Sequence, residues 1–177
     1  MIYRLGDLVP NIKHAMYIAP SATVIGDVTL AKNVTVWPSA VIRGDIATIL
    51  IDENTSIQDN ATIHTDKDLA CKIGRNVTIG HNAILHSCVI DDNVIIGMGS
   101  IVLNNSHIAK HCMVGAGSVV THKLPYEEGC LIMGSPAKIV RKLTEDEINH
   151  IQVNADHYQQ NGLRYKNTLQ IVETNEL

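Results

Sequence analysis

The chain has 177 residues, 45% of them hydrophobic but only 3% aromatic, with no Phe, so Val, Ile, Leu, Ala and Met must fill any core. That composition favours many narrow repeated layers over one bulky interior. A formal charge of -4 and a pI near 6.1 leave no basic stripe for nucleic acid and no polybasic run for an anionic membrane. The opening residues carry no charged start followed by a long apolar run, and nowhere do eighteen apolar residues run together. The expectation is a soluble, cytoplasmic protein that acts on small molecules or protein partners.

From Val24 onward an aliphatic residue returns every six positions: Val24, Leu30, Val36, Ile42, then Ile51, Ile57, Ile63, then Ile73, Ile79, and finally Ile90, Ile96, Val102, Ile108, Val114, Val120. A smaller apolar or polar residue lies two places before most of them, as Ala22, Val28, Ala40, Cys88, Ser100 and Ser118 do. Alternate inward positions are a strand signal, and a return every six residues means each strand is short and ends in a corner. This is the hexapeptide signature of a parallel β-helix, in which three hexapeptides close one triangular coil of eighteen residues.

Asn33, Asn54, Asn60, Asn76, Asn82 and Asn93 punctuate the repeat, and Asn tolerates the positive φ that a sharp corner needs. Glycines 26, 74, 80, 97, 115 and 117 are expected to serve the same purpose. The count breaks twice. Ten residues separate Ile63 from Ile73, so a small loop over roughly Asp66 to Cys71 should leave the solenoid, and Ile79 to Ile90 is one residue short of two repeats.

The repeat dissolves after Val120. Further on, Thr144 and Glu147 form a capping box, Leu143 and Ile148 a hydrophobic staple, and Ile148, Ile151, Ala155 and Tyr158 one helical face. The division expected is a solenoid over residues 1–140 and a C-terminal helix with its tail over 141–177, lying against the solenoid or over its end. Cys71, Cys88, Cys112 and Cys130 show no CxxC pairing and read as buried or loop thiols.

Three histidines sit beside the two breaks. His64 and His86 each follow an inward residue, and their separation is one coil plus the four-residue insertion, so they should stack at one edge of adjacent coils. At a strand spacing of about 4.8 Å two imidazoles can tilt onto one ion. His81 lies five residues before His86, roughly 10 to 16 Å away at strand rise. Its partner nitrogens must then come from a neighbouring copy, and three prisms around a threefold axis give three closed, identical contacts. The expectation is a homotrimer with three interfacial sites, each leaving a position open for chemistry. Imidazole ligands suit zinc, and equally ferrous iron or cobalt. His14, His107, His111, His122, His150 and His157 read as solvated.

The segments WPSAVIRGD, IQDNATIH, GHNAILHSC, IGMGSIVL and GSPAK resemble the γ-class carbonic anhydrases and their hexapeptide-repeat relatives across nearly the whole chain. The resemblance implies an all-β solenoid, specifically a left-handed parallel β-helix with a C-terminal α-helix, assembled as a homotrimer. It implies zinc or iron on His64, His81 and His86, an intersubunit pair of Arg43 and Asp45 beside the metal, and Gln58 and Asp59 positioning the attacking water. The activity implied is reversible hydration of carbon dioxide to bicarbonate by a metal-bound hydroxide. Ile46 and Lys67 stand where the most active members carry acidic proton-transfer residues, which threatens rate more than binding. The alternatives are an acyl-CoA thioesterase or other acyl-handling enzyme, or a trimer that metal merely clamps.

Overall fold

In the computed structural model, which describes residues 1–122 and 126–173, the chain winds into a left-handed parallel β-helix of about seven coils followed by a single helix. Positions 174–177 of the expected tail lie outside the described residues. Each coil has three faces. The first stacks Tyr17–Ile18, Thr35–Val36, Ser56–Ile57, Thr78–Ile79, Ile95–Ile96, Met113–Val114 and Cys130–Gly134 in parallel, and the antiparallel strand Ala137–Lys142 closes it. The second stacks the early part of Val41–Ile51 with Thr62–His64, Ile84–His86, Ile101–Val102 and Val119–Val120. The late part of Val41–Ile51 turns onto the third face with Cys71–Ile73, Val89–Ile90 and His107–Ile108.

Every residue of the period-six set from Val24 to Val120 is buried, and the four cysteines are buried free thiols among them. Because no Phe or Trp fills the axis, Ile, Leu and Val from successive coils stack in files that the narrow triangle can just accept. The repeat outlasts its sequence signal by one strand, since Cys130–Gly134 pairs with Met113–Val114 and buries Ile132.

The six corner asparagines all adopt positive φ, between 55° and 63°. Four form a ladder: the amide of Asn33 donates to Asn54, Asn54 to Asn76 and Asn76 to Asn93, at 3.0 to 3.1 Å. The glycines divide differently from expectation. Gly26 and Gly117 do take positive φ, whereas Gly80 and Gly97 do not: a Cβ on Gly97 would stand 2.5 Å from the Ala116 nitrogen. There glycine permits the next coil to approach rather than the chain to turn.

Helix α1, Glu145–Thr168, begins at the capping box of Thr144 and Glu147 and buries Ile151, Ala155 and Gly162. It lies on the first face and runs from later coils back to earlier ones. Asn154 donates to Thr78 at 2.8 Å, Gln159 to Asn54 at 2.9 Å, and Tyr165 packs edge-on to Trp37 with ring centres 5.0 Å apart. Tyr17, Trp37, Tyr158 and Tyr165 thus gather most of the chain's aromatic area under the helix. The first face is covered, and the histidine-bearing second face is left bare.

Candidate metal centre

The register that buries Ile63 and Leu85 turns the next residue of each strand outward at the end of the second face. His64 pairs with His86 across adjacent coils, and Arg43 lies under His64 in the same row. The loop after His64 folds on itself through an Asp66 to Leu69 bridge, and Ser87, at φ 44°, takes the corner after His86 alone. The insertion and the shortened repeat therefore leave the ladder in step through the histidines.

His64 Nδ1 and His86 Nε2 face each other 3.0 Å apart. On its other side, His64 Nε2–H donates to Asp45 Oδ1 at 2.9 Å, which leaves Nδ1 with a lone pair. Burial alone raises the Asp45 carboxyl, but hydrogen bonds from His64 and Arg43 outweigh it and hold the group below its ordinary value. Two nitrogens about 2.0 to 2.1 Å from a tetrahedral ion would stand about 3.3 Å apart. The pair is close to that separation, its donor chemistry is imidazole, and the His64 side chain is only 17% exposed. These residues fit half of a zinc-type site.

The other half is elsewhere. His81 and Asp59 sit on adjacent coils at the opposite corner of the same face, where Asp59 Oδ2 is 3.0 Å from His81 Nδ1. Gln58, buried, precedes Asp59 at that corner, and its backbone N–H donates to Ile79. So Arg43, Asp45, His64 and His86 gather at one edge while Gln58, Asp59 and His81 gather at the other, with the outward, exposed Ile84 on the strand between them. Among the described residues no three His, Cys, Asp or Glu side chains of one chain converge to hold an ion. Arg43 and Asp45 pair within the chain, as residues two apart on one side of a strand can.

Comparison with known proteins agrees with this architecture. The bacterial transferase hexapeptide family model, of six repeats, matches residues 70–104 and 87–122. The carbonic anhydrase of Geobacillus kaustophilus is 38% identical over 166 residues, covering 94% of this chain and 91% of that protein. The chain belongs to the γ-class carbonic anhydrase-like hexapeptide-repeat family.

Within that family, mitochondrial γ carbonic anhydrase 2 of Arabidopsis thaliana is 40% identical over 158 residues, 86% of this chain, which spans 57% of the plant protein's length. The carnitine operon protein CaiE of Escherichia coli is 34% identical over 157 residues, 89% of this chain and 80% of that one. The crystal structure of a hexapeptide transferase family protein from Anaplasma phagocytophilum superposes with a TM-score of 0.88 at 38% identity, covering 93% of this chain and 98% of that one.

The hydrogen bonds around His86 also bring to the site a residue that the sequence analysis passed over. Asn104 Oδ1 lies 2.7 Å from His86 Nδ1, and Asn104 Nδ2 donates to Asp66 Oδ2 at 3.0 Å. The signal was available, because Asn104 stands one eighteen-residue coil after His86. Of the histidines read as solvated, His107 stays 60% exposed beside Asp91, and the half-buried His111 meets Glu128, each at 3.0 Å.

Proposed function

We propose that the protein is a γ-class carbonic anhydrase-like enzyme that reversibly hydrates carbon dioxide at three sites in a homotrimer. Each site takes His64 and His86 from one chain and His81 from the next. The observation that carries this reading is the convergence of His64 Nδ1 and His86 Nε2 at 3.0 Å, with His81 held apart at the other end of an uncovered face. Half-sites at opposite ends of one face are joined when a neighbour packs there, and the exposed Ile84, Met98 and Leu103 offer that neighbour apolar surface.

A divalent ion of zinc, iron or cobalt type would supply a Lewis acid that makes a coordinated water acidic enough to act as a nucleophile near neutrality. The chain's own groups do the rest. Asp45 orients the His64 ring through Nε2–H, and Arg43 keeps Asp45 ionised. Asp59 performs the same service for His81, and Gln58 at the same corner offers an amide to orient the attacking water. Ile46, half exposed beside Asp45, has no proton to pass, so export depends on other groups or on buffer.

A second reading, hydrolysis or transfer of an acyl-CoA thioester, draws on the match to the bacterial transferase hexapeptide model and on the Anaplasma relative. Stopped-flow hydration of carbon dioxide by zinc-loaded and anaerobically iron-loaded protein separates the two. Activity abolished in His86→Ala supports the lyase, and an inert, fully metallated trimer turns the reading to acyl-CoA substrates.

A further inference from the structure

His86 is held from behind by a chain of groups that never faces the ion site. Asn104 Oδ1 meets His86 Nδ1 at 2.7 Å, Asn104 Nδ2 donates to Asp66 Oδ2 at 3.0 Å, and the Asp66 backbone N–H donates to Ser87 Oγ at 2.6 Å. A carboxylate only accepts, so Asn104 must turn its NH2 toward Asp66, and the amide is no longer free to flip. Its oxygen then faces His86, and that contact is attractive only if Nδ1 carries the hydrogen. His86 Nε2 is left with a lone pair, aimed at the lone pair that Asp45 leaves on His64 Nδ1 3.0 Å away.

We propose that Asn104, oriented by Asp66, is a positioning residue that locks His86 in its Nδ1–H tautomer and so presents Nε2 to a divalent cation. The proposal rests on the reading of His64 and His86 as metal ligands. Its consequence is energetic. Without the lock, His86 takes the Nε2–H tautomer and donates to His64 Nδ1, satisfying the pair and closing it to an ion. With the lock, two lone pairs oppose each other at 3.0 Å, and a cation between them removes the repulsion.

The test measures zinc affinity of the assembled full-length protein by chelator competition and, separately, the His86 tautomer of the metal-free protein by long-range 1H–15N NMR on histidine-labelled samples. Asn104→Ala is expected to bind zinc about 10- to 100-fold more weakly, in the range usual for loss of a group behind a ligand. Its His86 is expected to shift toward the Nε2–H form. Asp66→Ala frees the Asn104 amide to flip and should move both readouts in the same direction. The exchanged double variant Asp66→Asn, Asn104→Asp restores a donor at 66 and an acceptor toward His86, and should recover both.

Unchanged zinc affinity in Asn104→Ala, or a His86 that keeps its hydrogen on Nδ1 there, overturns the lock. Wild-type protein that binds no zinc overturns the metal reading instead, and the tautomer measurement still decides the role of Asn104.

Discussion

Asp59 lies directly beneath His81 on the preceding coil and accepts its Nδ1–H at 3.0 Å, so Nε2 is the ring nitrogen left free to reach outward. Since among the described residues no three His, Cys, Asp or Glu side chains of one chain converge to hold an ion, a site completed by a neighbour predicts complementation. Homotrimers of His81→Ala and of His64→Ala should each lose metal. Coexpression should restore a fraction of sites, because a mixed interface can combine an intact His81 with an intact His64 and His86 pair. Metal analysis of isolated mixed trimers checks this, and trimers that stay metal-free would sink the shared site.

Ile57 is fully buried in the axial file of the first face. Ile57→Asp places an unpaired carboxylate there, at a cost of several kcal/mol even after relaxation. That is comparable to the whole stability of a domain of ordinary size, about 5–15 kcal/mol. The variant should be insoluble or unfolded by circular dichroism, and a normal thermal transition would show the inward register to be misplaced.

Glu147 accepts from both terminal nitrogens of Arg141 at 2.7 Å and from the Thr144 backbone at 2.9 Å. These bonds, Arg141's first, lower its pKa from 4.5 to about 2. A group depressed in the folded state stabilises it fully above the unfolded value and ceases to do so as pH falls through the folded one. Glu147→Gln should therefore lower the melting temperature above pH 4.5, with the difference from wild type closing as pH approaches about 2. A difference that stays constant across that window would assign the effect to the cap geometry and not to charge.

Gly162 sits in the buried stripe of α1, where a Cβ would collide with the Thr35 Cγ2 methyl. Helix propensity favours Ala over Gly by about 1 kcal/mol, whereas forcing a methyl into a filled contact costs about 1–3 kcal/mol. The clash should win, so Gly162→Ala destabilises despite its better propensity. Thr35→Ser keeps the hydroxyl and removes the methyl, so the double variant should recover part of the loss in a denaturant titration. Additive effects of the two substitutions would place the strain elsewhere.

The period of six made the inward residues legible from Val24 to Val120, because each aliphatic position obeys a steric rule of the narrow axis. The asparagine corners were legible for the same local reason, a preference for positive φ. Glycines 80 and 97 were not, because the approach of a neighbouring coil is not a property of the residue's own dihedrals. Stacking of His64 on His86 followed from counting, and so would the place of Asn104 have done. What counting could not give was the hydrogen-bond direction through Asn104, which depends on a carboxylate thirty-eight positions away. The extra strand at Cys130–Gly134 escaped because the step before it puts the aromatic Tyr126 where the repeat carries aliphatics, although Tyr126 keeps the period of six, is buried and bridges to Ile108 on the coil below.

Helix α1 spans a run of coils whose outer members, those of Trp37 and Thr78, do not pair with one another. In a solenoid each layer contacts only its neighbours, so stability is close to a sum of local terms and the ends are free to peel. Ties from Asn154 to Thr78, Gln159 to Asn54 and Tyr165 to Trp37 run along the stack like a batten nailed across planks. Loss of an early coil then strips contacts from the helix that later coils also use, and separate layers are made to melt together. The long-range cooperativity of this protein resides in a segment outside its repeat.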